Sequence, residues 1–230
     1  EEGFDAWREA LKSKVAELLC LDFFAKEAEG QPSPRMLSTV QRDGYRVEKW
    51  EFYPDAYSAV PFLALIPDGA SAESPVPGVM CFPGSTCSKE FLAGEPLQAV
   101  GNCGLQKYPE RNRMALYIVK NGMAAFAFDN PETAECTLPI ERPHDFGYKA
   151  RVQLCHGLLQ SGLSYFGLST AQKLCALSFI STLPYVDADR LGVSAHSLGA
   201  DDAMHVALLC DEIRAVIFNE LVAEARHRYY

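Results

Sequence analysis

The chain has 230 residues, of which 48% are hydrophobic, and this size and composition exclude a disordered or fibrous protein. Its 21 lysine and arginine residues stand against 30 aspartate and glutamate residues, and the resulting charge of -9 makes a nucleic-acid or anionic-lipid binder improbable. No stretch approaches the roughly 20 consecutive apolar residues that a membrane span needs. We therefore expect a soluble protein with one domain over residues 1–230, and small neutral or cationic ligands remain open.

The cysteines indicate the compartment and argue against a metal site. Eight of them are scattered along the chain, with no Cys-x-x-Cys pair and no paired Cys/His spacing: Cys20, Cys81, Cys87, Cys103, Cys136, Cys155, Cys175 and Cys210. Such scatter is not typical of zinc ligands, and we predict no metal and no cofactor. Unpaired thiols in apolar stretches favour a reduced compartment, hence a cytoplasmic protein. An exported protein whose leader has been removed is the alternative.

The first part of the chain predicts a helix and then a hairpin. Apolar side chains recur at helical spacing over residues 4–24, with Glu, Lys and Arg between them, which indicates an amphipathic helix. After the breaker QPSP the period changes, and residues 45–53 and 59–67 alternate as two strands. The turn signal PDAYS at 54–58 joins them. We expect an antiparallel hairpin.

The middle of the chain predicts a β-α-β unit. The apolar run VMCF at 79–82 indicates a buried strand, and the small polar residues of PGSTCSKE at 83–90 indicate a functional loop after it. From Pro109 to Gly122 the pattern predicts a helix that ends at an Asn-Gly stop. The apolar strand MAAFAFD at 123–129 follows at once.

The last part continues the alternation of strands and helices. A long polar excursion at 129–149 is followed by helical patterns over about 150–183, interrupted near 164–167. Residues 187–195 then predict a strand, 197–210 a helix and 214–220 a further strand. Alternation of this kind implies a parallel sheet covered by helices on both faces, entered through the antiparallel hairpin.

A motif for nucleophilic chemistry stands where the strand 187–195 ends. Ala195-His196-Ser197-Leu198-Gly199 is a variant of Gly-x-Ser-x-Gly with alanine at the first small position. A serine on a sharp strand-to-helix turn takes a strained backbone conformation, and the positions two before and two after it must be small because the two backbones crowd there. The turn also places Ser197 at the amino end of a helix, where negative charge is stabilised. We predict that Ser197 is a nucleophile.

Three segments resemble the α/β-hydrolase superfamily, particularly its acetyl xylan esterase-like branch. VDADRLGVSAHSLGA (186–200) resembles the nucleophile region, VMCFPGSTCSKE (79–90) the oxyanion loop, and AFAFDNPETAEC (125–136) the next strand and loop. The resemblance covers about residues 4–226. It implies an α/β-hydrolase fold with a mostly parallel sheet, helices on both faces, an N-terminal amphipathic helix and a hairpin. It also implies that the backbone N–H groups of Leu198 and Ser85 form an oxyanion hole.

The catalytic acid and histidine are not evident. In this fold they follow the nucleophile in the order Asp or Glu, then His, yet only 33 residues follow Ser197. We therefore expect that the C-terminal strands of the fold are missing and that the 230-residue chain alone is incomplete. Glu220, just after the last predicted strand, is a weak candidate for the acid, and a helix-start carboxylate is its alternative. His144 lies on the long excursion, where it could line a pocket.

For several other charged residues and histidines we predict structural roles and no catalytic ones. We expect Asp201 and Asp202 to be helix caps whose carboxylates interact favourably with the helix dipole. Lys89-Glu90 is expected to form an ion pair or to cap a helix, and as a surface pair it would contribute little to stability. His196 and His205 are expected to be packing or surface residues, and His227 belongs to a terminus expected to fray.

Two main functions compete. The first is a serine carboxylic-ester hydrolase that forms an acyl-enzyme on Ser197 and deacetylates carbohydrate or another short acyl ester, the substrate being implied by the resemblance alone. The second is a non-catalytic or incomplete α/β-hydrolase-like module, whose sheet edge after residue 218 a second copy of the chain would cover. A thiol enzyme that uses Cys81 or Cys87 is weakly supported, because neither has a resolving cysteine at the usual spacing.

Overall fold

The structure, a computed structural model, describes residues 2–96, 109–137 and 148–220. The α-helices are α1 (Glu2–Leu18), α2 (Leu21–Ala28), α3 (Lys89–Ala93), α4 (Met114–Lys120), α5 (Tyr148–Gln160), α6 (Tyr165–Ile180) and α7 (Leu198–Leu209). The strands are β1 (Arg35–Arg42), β2 (Tyr45–Phe52), β3 (Val60–Pro67), β4 (Val76–Phe82), β5 (Ala124–Phe128), β6 (Val186–His196) and β7 (Ile213–Asn219). None of the helices in the described ranges is long and apolar enough to cross a membrane.

The strands form one sheet in the order β1-β2-β3-β5-β4-β6-β7. The pairs β5-β4, β4-β6 and β6-β7 are parallel, whereas the pairs among β1, β2, β3 and β5 are antiparallel. This arrangement confirms the predicted parallel sheet entered through antiparallel strands. Because the parallel strands run the same way, the carboxyl ends of β4, β5, β6 and β7 meet at one edge of the sheet.

Helices cover both faces of the sheet, as the alternation of elements predicted. On one face Phe62, Phe126 and Phe82 pack with Ile180 of α6 and Val206 of α7. On the other face a second cluster joins strand side chains to α3 and α4: Leu63, Leu65, Cys81, Leu92, Ala115, Val119, Ala125 and Ala127. Near-complete burial on both faces is what makes β3 and β5 continuous apolar runs in the sequence.

The antiparallel part is larger than predicted, because β1 adds a third strand to the expected hairpin. Every β1 residue except Arg42 is exposed, so the strand carries little of the alternating apolar pattern that reveals a half-buried strand. The Asp43-Gly44 dipeptide between β1 and β2 is a hairpin-turn signal that could have indicated this extra strand. Gly44 adopts φ +79°, a conformation that favours glycine.

Two predicted helices are each divided in two. The amphipathic pattern over 4–24 becomes α1 and α2, with Cys20 at φ +53° between them. The helix predicted over 109–122 becomes a 3₁₀ helix at Pro109–Asn112 followed by α4, which stops at Asn121-Gly122 as predicted. Hydrophobic periodicity does not detect such breaks, because the side chains before and after a single-residue change of direction keep their spacing.

The last strand in the sheet exposes apolar side chains. Ile217 and Phe218 of β7 are 60% and 43% exposed, and β7 pairs with β6 alone among the described strands. An apolar strand at the end of a sheet can pair with another chain. That a second copy covers it stays a prediction.

Candidate active site

Ser197 lies between the carboxyl end of β6 and the first residue of α7. Its backbone has φ 49° and ψ -116°, a conformation that residues other than glycine rarely adopt. Two hydrogen bonds hold it there: its N–H donates to the Asn219 carbonyl at 2.9 Å, and its carbonyl accepts from the Ala200 N–H at 2.9 Å. The side chain is partly exposed. The strained turn therefore presents a hydroxyl at the edge of the sheet.

Close backbone packing explains the small residues of the motif. Ala195 is fully buried. A Cβ atom at Gly199 would lie 2.7 Å from the carbonyl oxygens of Phe82 and Pro83, closer than real contacts allow. The chain that leaves β4 thus passes directly over the start of α7, and any side chain at position 199 would push the two apart.

The loop after β4 lies against the serine. A Cβ atom at Gly84 would be 3.5 Å from Ser197 Cβ and 2.8 Å from His196 Cδ2. Asn130 Nδ2 donates to the Pro83 carbonyl at 2.9 Å and more weakly to the Gly84 carbonyl at 3.4 Å. Arg151, from α5, donates from Nη1 to the Ser85 carbonyl at 2.8 Å. Three successive carbonyl groups of this loop are therefore held by buried side chains.

Fixed carbonyls also fix the direction of N–H groups, because the C=O and N–H of a trans peptide point in opposite directions. Asn130 and the Cys87 N–H, which donates to Gly84 O at 3.3 Å, restrain the peptide that carries the Ser85 N–H. Leu198 is the first residue of α7, where N–H groups have no partner within the helix. These two N–H groups are the predicted oxyanion donors.

Sequence reasoning did not single out Asn130 or Arg151. Asn130 lies in the segment that resembles the family's second loop, directly after β5, and a polar residue at the carboxyl end of a strand was the signal available. Arg151 is 66 residues from Ser85, and no local pattern connects the two.

Glu220 lies next to the histidine of the motif. It follows β7 at φ +64°, and its Oε2 is 3.7 Å from Nε2 of His196. The His196 side chain is 14% exposed and packs against Gly84, so of the two roles expected for it, packing or surface, it has the packing role. In the described part of the chain no imidazole nitrogen forms a hydrogen bond with Ser197 Oγ.

Another described histidine, His205, forms no hydrogen bond with Ser197 Oγ. His205 is partly buried in α7, with Nδ1 3.2 Å from Thr170 Oγ1 and its ring against Phe166. Burial lowers the pKa of His205 below its usual value, although the nearby Asp202 and Asp201 oppose this shift. Of the two roles expected for His205, packing or surface, the structure therefore supports packing. His144 and His227 lie outside the described residues.

The predicted Lys89-Glu90 ion pair forms, but it is buried, which corrects its expected position on the surface. Lys89 is fully buried, with Nζ 2.8 Å from Glu90 Oε1 and 2.7 Å from both Asp129 Oδ2 and Glu135 Oε2. Its backbone N–H also donates to Asp129 Oδ1 at 2.8 Å. Burial alone would lower the pKa of Lys89, but the three carboxylates raise it above its usual value. A charged Lys89 therefore ties the loop after β4 to the loop after β5.

Asp202 is not the helix cap that was predicted. Its side chain is 1% exposed, Oδ2 accepts from Ser169 at 2.6 Å, and Lys173 Nζ lies 3.6 Å from the same oxygen. Lys173 also donates to Ser169 Oγ at 3.0 Å. Asp202 thus joins α7 to α6 through a buried polar cluster.

The thiols considered for catalysis are inaccessible. Cys81 is fully buried and Cys87 is 1% exposed. Burial raises the pKa of the Cys81 thiol well above its usual value, which disfavours the reactive thiolate. Within the described ranges no group of three or more His, Cys, Asp or Glu residues is arranged to hold a metal ion.

The sequence and the structure of this chain are similar to those of known proteins. The whole chain, residues 1–230, matches the abhydrolase family. A candidate acetyl xylan esterase from Bacteroides fragilis NCTC 9343 is 32% identical with a TM-score of 0.84, and the match covers 99% of this chain and 56% of that one. The chain therefore spans just over half the length of that protein. None of the curated proteins matches the sequence.

Two more distant solved structures share the fold. A methylesterase is 14% identical with a TM-score of 0.70, and the match covers 94% of this chain and 41% of that one. An acetyl xylan esterase from Paenibacillus sp. R4 is 16% identical with a TM-score of 0.57, covering 87% of this chain and 58% of that one.

Proposed function

Since the chain belongs to the abhydrolase family, we propose that it is the nucleophile-bearing part of a serine carboxylic-ester hydrolase that forms an acyl-enzyme on Ser197. The family match confirms the resemblance to the α/β-hydrolases and their fold. The observation that carries the proposal is the strained, partly exposed Ser197 at the amino end of α7, with Gly84 packed beside it. A structural serine has no need of that conformation.

The proposed reaction has two steps. Ser197 Oγ attacks the ester carbonyl carbon and gives its proton to a general base, and the alcohol leaves with a proton while the acyl group stays on Ser197. Water then attacks the acyl-enzyme and releases the acid. In both steps the N–H groups of Leu198 and Ser85 stabilise the negative oxygen. The general base is unassigned, and Glu220 is retained as the candidate acid because it faces His196 beside the serine.

The proposed substrate is an acetylated carbohydrate or another short acyl ester. Two of the similar structures are named as acetyl xylan esterases, one of them as a candidate, and a third as a methylesterase. A chain with a formal charge of -9 suits a neutral substrate better than a phosphorylated or carboxylated one.

A second function, a non-catalytic module of the same fold, is favoured by one observation. No described histidine is hydrogen-bonded to Ser197, and the contact of Glu220 with His196 gives that carboxylate a packing role instead. In that case the exposed apolar residues of β7 would bind a second copy of the chain. The expected result is then a stable dimer without esterase activity, and a monomer that turns over acetyl esters would contradict it.

Fluorophosphonate labelling tests the proposed hydrolase. A fluorophosphonate phosphonylates an activated serine, and we expect mass spectrometry of the labelled protein to place the adduct on Ser197. The Ser194→Ala variant is the matched control, because Ser194 lies three residues earlier, on β6, but is 4% exposed with its Oγ against Met114 Sδ. Labelling should persist in that variant and disappear in Ser197→Ala. Because labelling needs a general base as well as the serine, the experiment uses the complete gene product, and a folded product that is never labelled at Ser197 would remove the proposal.

The Asn130→Ala variant tests how the oxyanion loop is positioned. Without the two Asn130 hydrogen bonds, the Pro83 carbonyl loses its side-chain anchor and the Gly84 carbonyl keeps only the Cys87 N–H, so the direction of the Ser85 N–H is held less firmly. We expect kcat for an acetyl ester to fall by about 10- to 100-fold, less than or equal to the loss of one oxyanion donor, with KM changed little. Asn121→Ala, which removes an exposed helix-end contact to the Tyr117 carbonyl, is the control. An unchanged kcat would show that Asn130 does not position the donor.

A further inference from the structure

Lys173 is a buried lysine with no part in the two reaction steps proposed above. It belongs to α6 and is 1% exposed. A lysine in the interior is unfavourable unless its amine has hydrogen-bond or charge partners. The partners of Lys173 lie on α7 and on the loop after β5, and both of these reach the edge of the sheet where Ser197 lies.

The contact of Lys173 with α7 is made through Asp202. Lys173 Nζ donates to Ser169 Oγ at 3.0 Å and lies 3.6 Å from Asp202 Oδ2, and Ser169 donates to that same oxygen at 2.6 Å. The other carboxylate oxygen, Oδ1, has no hydrogen-bond partner among the described residues. Burial raises the pKa of Asp202, and Lys173 opposes this rise. The attachment of Asp202 to α6 therefore depends on Lys173 and Ser169.

An anchored Asp202 restrains the first turn of α7. Asp202 follows Leu198 by four residues, which is about one helical turn, so the two residues are neighbours along the helix. The Leu198 N–H is one of the two candidate oxyanion donors. A helix held to α6 at its first turn therefore holds that N–H in a fixed direction.

The second contact of Lys173 is with the loop after β5. Its Nζ donates to the Asp129 carbonyl at 3.5 Å. That carbonyl belongs to the peptide that joins Asp129 to Asn130. The Asn130 side chain in turn holds two carbonyls of the loop after β4, and this loop carries the Ser85 N–H, the other candidate donor. Lys173 is thus connected to the second donor as well.

The amine also lies over the end of β4. Its Nζ is 5.7 Å from the centroid of the Phe82 ring, within the range of a cation–π interaction. Phe82 is the last residue of β4 and is fully buried. A Cβ atom at Gly199 would lie 2.7 Å from the Phe82 carbonyl oxygen, so β4 meets α7 at this point. Lys173 therefore packs where the two donor-bearing segments come together.

We infer that Lys173 is a positioning residue that sets the two candidate oxyanion donors, the Leu198 N–H and the Ser85 N–H, relative to each other. It acts on the first donor through Asp202 and on the second through the Asp129 carbonyl. This inference rests on the proposed function, because the two N–H groups matter as a pair only when an oxyanion forms between them.

Steady-state hydrolysis of p-nitrophenyl acetate by the complete gene product tests this role. Donors that stabilise the oxyanion act on the transition state, so Lys173→Met should lower kcat about 100-fold and leave KM nearly unchanged. Ser169→Ala removes only the bridging hydroxyl and should lower kcat about 10-fold. Thr170→Val is the matched control. Thr170 is the next residue of α6 and is also fully buried, but its hydroxyl contacts His205, roughly two turns beyond Leu198.

Hydrogen exchange followed by mass spectrometry tests the positioning without any turnover. The Cys87 N–H donates to the Gly84 carbonyl and the Ala200 N–H donates to the Ser197 carbonyl, so peptides that cover 84–90 and 197–203 report on the two donor-bearing segments. Peptides from 35–52, in the β1-β2 hairpin, are the internal reference.

The expected exchange pattern distinguishes the variants. Lys173→Met should speed exchange several-fold in both donor-bearing segments and leave the hairpin unchanged. Ser169→Ala should affect 197–203 alone, because it breaks the link to α7, whereas Asn130→Ala should affect 84–90 alone. Thr170→Val should leave the 84–90 and 197–203 peptides as they are in the parent.

The results that would overturn the inference are distinct from those that would overturn the esterase. If Lys173→Met keeps its kcat, raises KM instead, or speeds exchange in all peptides alike, Lys173 is not a positioning residue. If circular dichroism shows that Lys173→Met does not fold, Ser169→Ala decides, and parent-like kcat and exchange in that variant overturn the inference. If the parent neither hydrolyses esters nor is labelled at Ser197, the esterase proposal fails, and the exchange pattern still decides whether Lys173 holds both segments.

Discussion

The Ser197→Ala variant is expected to lose on the order of 10⁴-fold or more in kcat for acetyl-ester hydrolysis. Loss of the nucleophile removes the acyl-enzyme route and leaves only the oxyanion donors and substrate binding, and no described serine can replace it. Ser194 is the nearest along the chain, three residues before Ser197, but it is buried and its Oγ contacts Met114. Steady-state hydrolysis of p-nitrophenyl acetate gives the measurement.

The controls for this prediction use neighbouring positions. Ser194→Ala should stay within a few-fold of the parent, because its hydroxyl contacts a thioether and not the candidate substrate site. The Ser197→Cys variant should be labelled at position 197 by a thiol-reactive ester analogue, because an exposed position gives the reagent access to the new thiol. Retention of full activity in Ser197→Ala would contradict the assignment of Ser197 as nucleophile, since a hydrolase that loses its nucleophile cannot form the acyl-enzyme.

Lys89→Met is expected to lower the free energy of unfolding by about 3–5 kcal/mol, the largest stability effect that we predict for a single substitution. Methionine preserves much of the volume but leaves Asp129, which is 1% exposed, without its counter-charge, with Glu90 and Glu135 close by. Urea unfolding followed by circular dichroism gives the measurement. The corresponding fall in Tm is about 10 °C for a domain of this length.

Two further variants separate charge burial from loss of packing. Lys89→Met combined with Asp129→Leu should recover part of the lost stability, because the most deeply buried of the three carboxylates is removed together with the lysine. Lys14→Met breaks an exposed ion pair with Glu17 and should change stability by less than about 1 kcal/mol. If Lys89→Met is no more destabilising than Lys14→Met, the buried pair is not what holds the two loops together.

The serine turn was predictable because its signal, two small residues around a serine, depends only on neighbours along the chain. The need for small residues at positions 195 and 199 arises within five consecutive residues, where strand and helix backbones meet, and the structure shows the crowding at Gly199 directly. Helical and strand periodicity is local in the same sense. It therefore predicted the buried strands and the helices around them, and the parallel arrangement followed from their order.

Exposed or broken elements were harder to predict. β1 was missed because its side chains face solvent, so burial imposed no apolar alternation on its sequence. The breaks at Cys20 and before Met114 depend on one residue each. In all three cases the conformation depends on a turn or on what the element packs against. The pattern of hydrophobic residues along the chain reports neither of these.

The sequence by itself determined the order of strands and helices, the small-x-Ser-x-small turn and the family that these resemble, because each depends on neighbours along the chain. Only the tertiary structure decided that Asn130 and Arg151 hold the loop of residues 83–85, that Lys89 and Asp202 are buried in polar clusters, and that Glu220 meets His196. The physical reason is the sheet order β5-β4-β6-β7, which brings together loops that are tens of residues apart. Contact between them depends on which strands are neighbours in space, and no local preference encodes that.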